Sequence, residues 1–570
     1  MNASRIALAA AAGLSLAACT TPPATHTGGG LGVAQGAPLK ACAALAAFAF
    51  ERTTIASATN VAAGAAKQGE RPLPAHCLVK GSIAPHKGTD GRDYAIAFEM
   101  RLPDAWNGRF YYQGNGGLDG AVQPAFGALG GGPLTGALMQ GFATISSDAG
   151  HTGAQNPVFG LDPQARLDYG YQAVAKLTPM AKALIASAYG KRPDRSYIGG
   201  CSNGGRHTLV AASRLGNEYD GYLAGAPGYR LPYAALAQLW GAQQWKGVAT
   251  AGATAKHPFA PNATIPDLGT GFTAQERQTV ARAILEKCDA LDGVRDGMVQ
   301  ATQACQAAFD IRRDVRSCGS AGRNGSCLTP AQKDVVASVF AGAKTRAGTP
   351  IYAGFPYDLG VAGSNWAAWK FVNSLVLDPV AVSTVFSVPP SPVDPLAEDV
   401  DARLPRVTAT DANYRESGVS LMTPPGWENA AHLATLHARG AKMVLYHGVS
   451  DPIFSEEDTR QYWLRADRAL GGHGAEFARF FPVPGMNHCS GGPAADQFDL
   501  LSPLVRWVEE GVPPQAVTAS VRGAGNAGGA NAELPAGWSA TRTRPLCAYP
   551  TVARYKGQGD PENAANYACQ

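Results

Sequence analysis

The residues at positions 200–204, GCSNG, have the spacing of a catalytic serine turn. Ser202 is flanked by glycines, follows the apolar segment SYIGG and precedes a helix-like run, HTLVAASRL. A G-x-S-x-G turn between a strand and a helix exposes the serine hydroxyl at the carboxyl edge of a sheet, and the glycines tolerate its sharp geometry. Such a match also arises by chance in a glycine-rich chain. The flanking strand and helix are what favour a nucleophile.

Two later loops carry the partners that a serine nucleophile needs. In this kind of site the acid and then the histidine follow the serine along the chain. Asp451 stands just after the apolar segment KMVLY, and His488 follows ARFFPV. We predict that His488 takes the proton of Ser202 and that Asp451 orients the imidazole. The alternatives are His447 as the base, which breaks the order, Asp458 as the acid, or plain loop residues.

Two cysteines adjoin these loops. Cys201 immediately precedes the proposed nucleophile, and Cys489 immediately follows the proposed base. A disulfide between them would clamp the two loops together and fix the geometry of serine and histidine. Each cysteine alone would be an ordinary structural residue, so the prediction depends on their joint placement.

A serine hydrolase also needs two backbone N–H donors for the oxyanion that develops on the substrate. Asn203, directly after the nucleophile, supplies one by the geometry of the turn. We expect the second from the glycine-rich loop at 114–117, where we prefer Gly117 to Gly116. The alternative is that this loop is a plain turn.

A separate acidic motif, CDALDGVRDGMV, occupies positions 288–299. Its aspartates are spaced three and four residues apart with glycine between them, as in a compact loop around Ca²⁺. The twelve-residue spacing and terminal glutamate of an EF-hand are missing. The alternative is an acidic surface turn. The expected ligands are the side chains of Asp289, Asp292 and Asp296 and the backbone oxygens of Val294 and Met298.

The elements that position these residues alternate between strands and helices. Strand-like segments occur within 94–113, in GFATISSDAG, and at 196–200, 442–446 and 478–483, and residues 170–189 have helical spacing. This alternation predicts a mostly parallel sheet covered by helices. Between about 228 and 435 the alternation stops, and prolines, tryptophans and four cysteines accumulate. This stretch is predicted to be a large insertion.

Composition excludes several classes of protein. The 570 residues include 48 Lys and Arg against 44 Asp and Glu, and the net charge of +4 gives no reason to expect nucleic acid as a partner. A hydrophobic content of 45% is enough for a sizeable core. Neither a Rossmann fingerprint nor a P-loop occurs, so no nucleotide cofactor is predicted. We expect a monomer whose partner is a small-molecule substrate.

The N-terminus predicts export. Residues 1–19 contain one arginine and a short apolar run that ends in LAAC, which is typical of a secretory signal and similar to a bacterial lipobox. We expect lipidation of Cys19, with an ordinary cleaved signal as the alternative. Residues 20–39 have the composition of a flexible tether. The other ten cysteines fit a disulfide framework in the periplasm or on an outer-membrane-anchored lipoprotein.

Together these motifs resemble the tannase/feruloyl esterase family. The resemblance rests on GCSNGGR, QGNGG, CDALDGVRDG, YHGVSDP and GMNHCSGG, which occur in order along most of the mature chain. It implies an α/β-hydrolase core at 40–227 and 436–570, a lid domain at 228–435 and a structural calcium in that lid. It also implies Ser202, Asp451 and His488 as the triad. The disulfides it implies are Cys42–Cys77, Cys201–Cys489, Cys288–Cys305, Cys318–Cys327 and Cys547–Cys569.

The substrate is expected to be an ester of an aromatic acid. Trp366, Trp369 and Phe386 are candidates for stacking on the acyl group. One branch of the family hydrolyses mono(2-hydroxyethyl) terephthalate and holds its free carboxylate with a lid arginine. Here 371–402 contains no arginine, and Lys370, Arg403 and Arg406 are uncertain replacements. The sequence therefore favours feruloyl or galloyl esters. The alternatives are the terephthalate ester, a peptide, and binding of aromatic compounds without turnover.

Overall fold

The computed structural model describes residues 29–128, 136–320, 322–430 and 432–570. The predicted signal, Cys19 and the first part of the tether lie outside the described residues. No helix in these ranges is long and apolar enough to cross a membrane.

A mixed sheet of nine strands forms the centre of the molecule. Its spatial order is β1-β2-β3-β5-β4-β6-β7-β8-β9. The strands are β1 Thr53–Val61, β2 His76–Lys87, β3 Asp93–Pro103, β4 Arg109–Gln113, β5 Ala143–Ser147, β6 Arg195–Cys201, β7 Gly221–Gly225, β8 Lys442–Gly448 and β9 Ala478–Val483.

The sheet is parallel in one half and antiparallel in the other. From β5 and β4 through β9 all neighbouring strands are parallel, whereas β1, β2, β3 and β5 pair antiparallel. The parallel half confirms the predicted α/β-hydrolase core. The prediction of a mostly parallel sheet did not anticipate β1 and β2. The edge strand β1 is half exposed and carries mixed polar residues, so it lacks the apolar run of a buried strand.

Helices cover both faces of the sheet. The longer ones are α1 Ala173–Tyr189, α2 Asn203–Arg214, α3 Leu231–Lys246, α4 Ala274–Cys288, α5 Pro330–Ala341, α6 Glu456–Ala469 and α7 Leu501–Glu510. Successive residues of a strand point to opposite faces, and β6 shows the result. Ile198 packs into the core that includes Leu184 of α1 and Leu209 of α2, and Tyr197 packs into the core that includes Leu504 of α7.

Shorter elements complete the chain. Short α-helices are Pro163–Leu167, Thr302–Ala308, Ile311–Asp314, Ser364–Ala367, Ser374–Val376, Asp378–Ala381, Val400–Arg403, Gly418–Met422 and Leu433–Ala438. Three π-helical turns are Asp168–Gln172, Ala368–Asn373 and Val382–Phe386. Two-stranded ribbons pair Ala37–Pro38 with Ala105–Trp106, Lys67–Gln68 with Arg71–Pro72, Thr254–Lys256 with Thr264–Pro266, Ala516–Ser520 with Thr543–Cys547, and Ala553–Tyr555 with Tyr567–Cys569.

The chain between β7 and β8, residues 226–441, is a large insertion. In its described part it adds no strand to the central sheet. The insertion has an apolar core of its own, in which Trp245, Phe272, Trp366 and Phe371 pack edge to face or stacked. Aromatic rings bury large areas and prefer such arrangements. Trp245 and Trp366 therefore belong to the insertion's own core.

The segment 31–38 is held to the core. The N–H groups of Leu31 and Gly32 donate to the carbonyls of Val508 and Glu509 at 2.8 and 3.0 Å, and residues 37–38 pair with 105–106. The prediction of a flexible tether through residue 39 is therefore wrong for residues 31–38. The glycines and prolines suggested flexibility, but backbone hydrogen bonds to distant residues leave no pattern in the sequence.

The ten described cysteines form five disulfides at the pairs that the resemblance implies. The longest loop is closed by Cys201–Cys489, with a sequence separation of 288 residues, and the shortest by Cys318–Cys327, with a separation of 9. The other bridges are Cys42–Cys77, Cys288–Cys305 and Cys547–Cys569. Bridges of this number are typical of oxidising compartments and indicate an exported protein.

Candidate active site

Ser202 lies in a strained turn between β6 and α2. Its backbone has φ 64° and ψ −127°, a conformation that residues with side chains rarely adopt and that is frequent at functional sites. A Cβ added to Gly200 or Gly204 would lie 2.4 or 2.3 Å from the carbonyl oxygen of Gly114. The glycines on either side are therefore required because the turn packs directly against the loop that begins at Gly114.

The structure brings Ser202, His488 and Asp451 together. His488 Nε2 lies 2.8 Å from Ser202 Oγ, and His488 Nδ1 lies 2.7 Å from Asp451 Oδ2. Both distances are those of hydrogen bonds. The serine comes from the end of β6, and the other two follow β8 and β9. All three thus lie at the carboxyl edge of neighbouring parallel strands.

Asp451 is surrounded by donors although it is 2% exposed. Its Oδ1 accepts hydrogen bonds from the N–H groups of Ile453 and Phe454 at 2.9 and 3.0 Å. Burial opposes ionisation, but the charge of His488 and hydrogen bonds from both neighbouring histidines outweigh it and hold the pKa of this carboxyl below its usual range. The group is therefore ionised at neutral pH.

The rival residues have other partners. His447 Nε2 lies 3.2 Å from Asp451 Oδ2, but its Nδ1 lies 2.8 Å from Thr459 Oγ1 and its Nε2 3.0 Å from the Phe454 carbonyl. Asp458 forms an ion pair with Arg230 at 2.6 Å. His447 thus supports the carboxylate from behind, and Asp458 does not contact the site histidine.

A disulfide joins the serine turn to the histidine loop. Cys201 and Cys489 are bonded, with their Cα atoms 6.0 Å apart. Each bridging residue is the chain neighbour of a residue in the hydrogen-bonded pair. The bridge therefore limits how far Ser202 and His488 can separate.

The residues predicted to form the oxyanion hole belong to two segments that adjoin the serine. Asn203 is the first residue of α2, and the first N–H groups of a helix have no acceptor within the helix. Gly117 has φ +64°, and a Cβ on Gly116 would lie 3.9 Å from Ser202 Cβ. The loop predicted to complete the oxyanion hole therefore passes over the serine.

A polar network that sequence reasoning missed links this loop to α2. Asp119 Oδ2 accepts from Asn203 Nδ2 at 2.8 Å and lies 2.9 Å from His207 Nε2, and Tyr169 Oη donates to the Gly117 carbonyl at 3.3 Å. Burial, with the nearby Arg206 charge, lowers the pKa of His207. The segments 114–120 and 200–207 contain Asp119, Asn203 and His207, but nothing in their spacing showed that these residues touch.

Two cavities adjoin Ser202. The larger, of about 520 Å³, is also lined by Gly116, Gly117, Phe126, Trp369 and His488. The smaller, of about 40 Å³, is lined by Gly117, Leu118, Tyr169, Ser202, Asn203, Leu231, Trp369, Leu377, Asp378, Ala381, Phe386, Ile453 and Phe454. Because Ser202 and Trp369 line both, a ligand carbonyl at the serine has space on either side.

Two of the three predicted pocket aromatics reach these cavities. Trp369 lies with its ring centroid 5.2 Å from that of His488, and Phe386 lines the smaller cavity. Trp366 is absent from both linings as far as the structure describes them, and it lies 3% exposed in the insertion's core. Its assignment to the pocket is corrected. A π-helical turn begins at Ala368, between the two tryptophans, and changes which side of the helix each one faces.

No lysine or arginine lines either cavity within the described ranges. Arg403 is bound to Glu398 and Ser391, both at 2.7 Å, and Arg406 donates to the Pro389 carbonyl. Lys370 is buried, and burial lowers its pKa to about 7 against the opposing charges of Asp451 and Asp378. Its Nζ lies 3.7 Å from the ring centroid of Phe355.

The acidic motif forms a loop directly after α4. Asp289 Oδ1 accepts from the N–H groups of Asp296 and Gly297 at 3.1 and 3.0 Å. Asp292 Oδ2 is buried and has no hydrogen-bond partner in the described structure. Such an orphaned carboxylate oxygen suits a hard cation. Burial and then the charge of Asp296 raise the pKa of Asp292 to about 7.

The same loop is also tied to the C-terminal segment. Asp296 Oδ2 accepts from Tyr567 Oη at 2.7 Å and from Arg544. Within the described residues, no three His, Cys, Asp or Glu side chains are arranged as a group that could hold a metal ion. The orphaned oxygen fits a cation, but an ion would have to draw the aspartates closer than they lie here.

Comparisons with known proteins agree with this architecture. A family model described as tannase and feruloyl esterase matches residues 77–570. Mono(2-hydroxyethyl) terephthalate hydrolase of Piscinibacter sakaiensis is 39% identical over 539 residues, covering 87% of this chain and 85% of the relative. Probable feruloyl esterase B of Emericella nidulans is 28% identical over 507 residues, covering 83% of each.

The fold is also that of a solved structure. Feruloyl esterase B from Aspergillus oryzae matches with a TM-score of 0.72 at 24% identity, covering 93% of this chain and 100% of that one. The family match over residues 77–570 and the named relatives show the protein family and the class of enzyme. The chain belongs to the tannase and feruloyl esterase family and is a carboxylic ester hydrolase.

Proposed function

We propose that the protein hydrolyses esters of aromatic acids through a Ser202–His488–Asp451 triad and an acyl-enzyme. The observation that carries the proposal is the continuous hydrogen-bonded series from Ser202 Oγ through His488 to a buried Asp451, with distances of 2.8 and 2.7 Å. A serine at the end of a parallel strand, with an N–H group of a helix start beside it, is the arrangement used for acyl transfer.

In the proposed mechanism each residue has its own step. Ser202 Oγ attacks the ester carbonyl carbon while His488 Nε2 takes the hydroxyl proton. The N–H groups of Gly117 and Asn203 stabilise the oxyanion, and Asp451 stabilises the imidazolium. His488 then gives its proton to the leaving alkoxide, and the alcohol departs. Water, deprotonated by the same nitrogen, attacks the acyl-enzyme. The bond between the acyl carbon and Ser202 Oγ then breaks, the acid departs, and Ser202 Oγ regains a proton from His488.

A neutral aromatic acyl group fits the site best. Apolar contacts beside the serine are provided by Trp369, Phe386 and Phe454. The ring centroid of Phe454 lies 5.4 Å from that of His488. With no lysine or arginine in the described cavity linings, a free carboxylate on the acyl group would lack a partner. We therefore favour feruloyl or galloyl esters.

The second candidate is mono(2-hydroxyethyl) terephthalate. It is favoured by the relative of that name at 39% identity. Lys370 is a cation that could serve a terephthalate carboxylate, because it is adjacent in sequence to Trp369, although it is buried.

The proposal also includes a lid, a bound calcium ion, export and a lipid anchor. The insertion acts as a lid, since Trp369, Leu377 and Phe386 cover the serine. Asp289, Asp292 and Asp296, with the carbonyls of Val294 and Met298, would hold a Ca²⁺ that supplies charge balance and fixes the loop against the C-terminal segment. The protein is exported, and Cys19 carries a lipid.

An ester panel tests the function. Residues 20–570, produced in an oxidising compartment with Ca²⁺, are assayed with methyl ferulate, methyl gallate, mono(2-hydroxyethyl) terephthalate and a peptide. We expect turnover of ferulate or gallate, lost by at least about 10³-fold in Ser202→Ala and kept in Ser213→Ala, a serine of the helix that follows Ser202. Preference for the terephthalate would reverse the choice of acyl group. Activity that persists in Ser202→Ala would refute the triad.

A further inference from the structure

Asp378 is a buried acid in the cavity beside the serine that the proposed mechanism does not use. It is the first residue of the short helix Asp378–Ala381 and lines the 40 Å³ cavity together with Ser202, Trp369 and Phe386. The residue is 5% exposed. Its Oδ2 is buried and has no hydrogen-bond partner in the described structure.

An unpartnered buried carboxyl is rare because its desolvation is not compensated. Lys370 interacts with it electrostatically. Burial raises the pKa of Asp378 well above its usual range. A neutral carboxyl has an O–H donor as well as acceptor oxygens, so this group can bind a hydroxyl in either direction.

We propose that Asp378 is a specificity-determining residue that hydrogen-bonds a ring hydroxyl of the acyl group. The inference rests on the proposed function and narrows it to esters of hydroxylated aromatic acids. Trp369 lines both cavities, so displacement of its side chain would join them. The joined cavity would admit the aromatic ring of the acyl group, with the ring hydroxyl directed at Asp378.

An ester without the ring hydroxyl would leave the buried Asp378 carboxyl unpaired, and this determines how strongly the enzyme should prefer the hydroxylated ester. A site built to hydrogen-bond a substrate hydroxyl rejects the analogue that lacks it far more strongly than an apolar pocket rejects a missing methylene. We therefore expect kcat/KM for methyl 4-hydroxycinnamate to exceed that for methyl cinnamate by at least about 100-fold.

Variants at position 378 test the assignment. Asp378→Leu should reduce this ratio to below about 10-fold, and Asp378→Asn, which can still hydrogen-bond a hydroxyl, should retain an intermediate ratio. Asp378→Leu should also unfold at a temperature no lower than the wild type, because an apolar side chain removes the orphaned group. Asp401→Asn is the matched control, since it removes an acid of the same insertion that pairs with Arg346.

Binding separates this inference from the catalytic proposal. Tryptophan fluorescence of Ser202→Ala is titrated with methyl 4-hydroxycinnamate and with methyl 4-methoxycinnamate, and the titrations are repeated with Asp378→Leu added. Tighter binding of the 4-hydroxy ester than of the 4-methoxy ester, with the difference lost in the double variant, supports the role of Asp378 even if no ester is hydrolysed. Equal affinity for the two esters, or a selectivity ratio that Asp378→Leu leaves intact, would overturn it.

Discussion

At the scale of single residues, the site depends on how Asp451 keeps its charge while fully buried. Two backbone N–H groups bind one carboxylate oxygen, and His447 and His488 lie within 3.2 and 2.7 Å of the other. Hydrogen bonds to ionised groups in an environment of low polarity are strong, and an unpaired charge there is costly. The carboxylate is thus fixed in position before any imidazolium forms.

Replacing this carboxylate should therefore impair catalysis more than folding. Asp451→Asn is expected to lower kcat by about 10³–10⁴-fold, because the amide neither stabilises the imidazolium nor holds the required tautomer. Steady-state kinetics on the best ester measure the effect, and circular dichroism checks the fold. Asp458→Asn, in the neighbouring ion pair with Arg230, is the control and should retain kcat. A loss of less than about tenfold in Asp451→Asn would contradict the assignment.

At the scale of elements, the site is made where three strands end. The serine turn after β6, the acid loop after β8 and the histidine loop after β9 meet because parallel strands present their carboxyl ends at one edge. These loops are local motifs, so the sequence alone identified Ser202, Asp451 and His488 as residues to bring together. The Asp119–Asn203–His207 contacts could not be predicted, because they depend on how two loops distant in sequence pack.

The bridge between two of these loops has a testable role. Removing Cys201–Cys489 by a double alanine substitution should cost about 2–5 kcal/mol of stability and lower kcat by about tenfold or more, since the serine and histidine loops are no longer joined. The matched control is a double alanine substitution at Cys318 and Cys327. The disulfide between these two cysteines closes a loop with a separation of only 9 residues. That variant should retain kcat. Equal kcat in both variants would contradict the clamp.

At the scale of the whole molecule, the insertion and the C-terminal segment meet at the acidic loop. Arg544 and Tyr567 contact Asp296, and Arg554 donates to the Leu291 carbonyl at 3.0 Å. A cation in this loop would therefore stabilise contacts between two parts of the chain that are far apart in sequence.

Chelation should expose that dependence. Transfer from millimolar Ca²⁺ to excess EDTA is expected to lower Tm by about 5 °C, the effect of losing an ion held at about 100 times its Kd. Asp292→Asn should abolish the difference between the two buffers, and Asp334→Asn, an exposed acid elsewhere in the insertion, should retain it. Identical Tm values with and without Ca²⁺ in the wild type would refute a bound calcium.

The large-scale organisation was only partly predictable. The loss of strand–helix alternation marked the insertion, since it reflects local composition. Which of its aromatic residues face the serine was not predictable, because Trp366 and Trp369 are equivalent by type and a π-helical turn separates them. Asp378 lies in no motif, and its significance arises only from burial beside Ser202.

Covalent trapping shows whether Ser202 is an activated nucleophile. The protein is incubated with a fluorophosphonate and analysed by peptide mass spectrometry, with His488→Ala in parallel. We predict a single adduct on Ser202 that forms at least about 10³-fold more slowly in His488→Ala, because the imidazole no longer removes the hydroxyl proton. An unlabelled Ser202 in folded wild-type protein, or an adduct on another serine, would show that Ser202 is not the activated nucleophile.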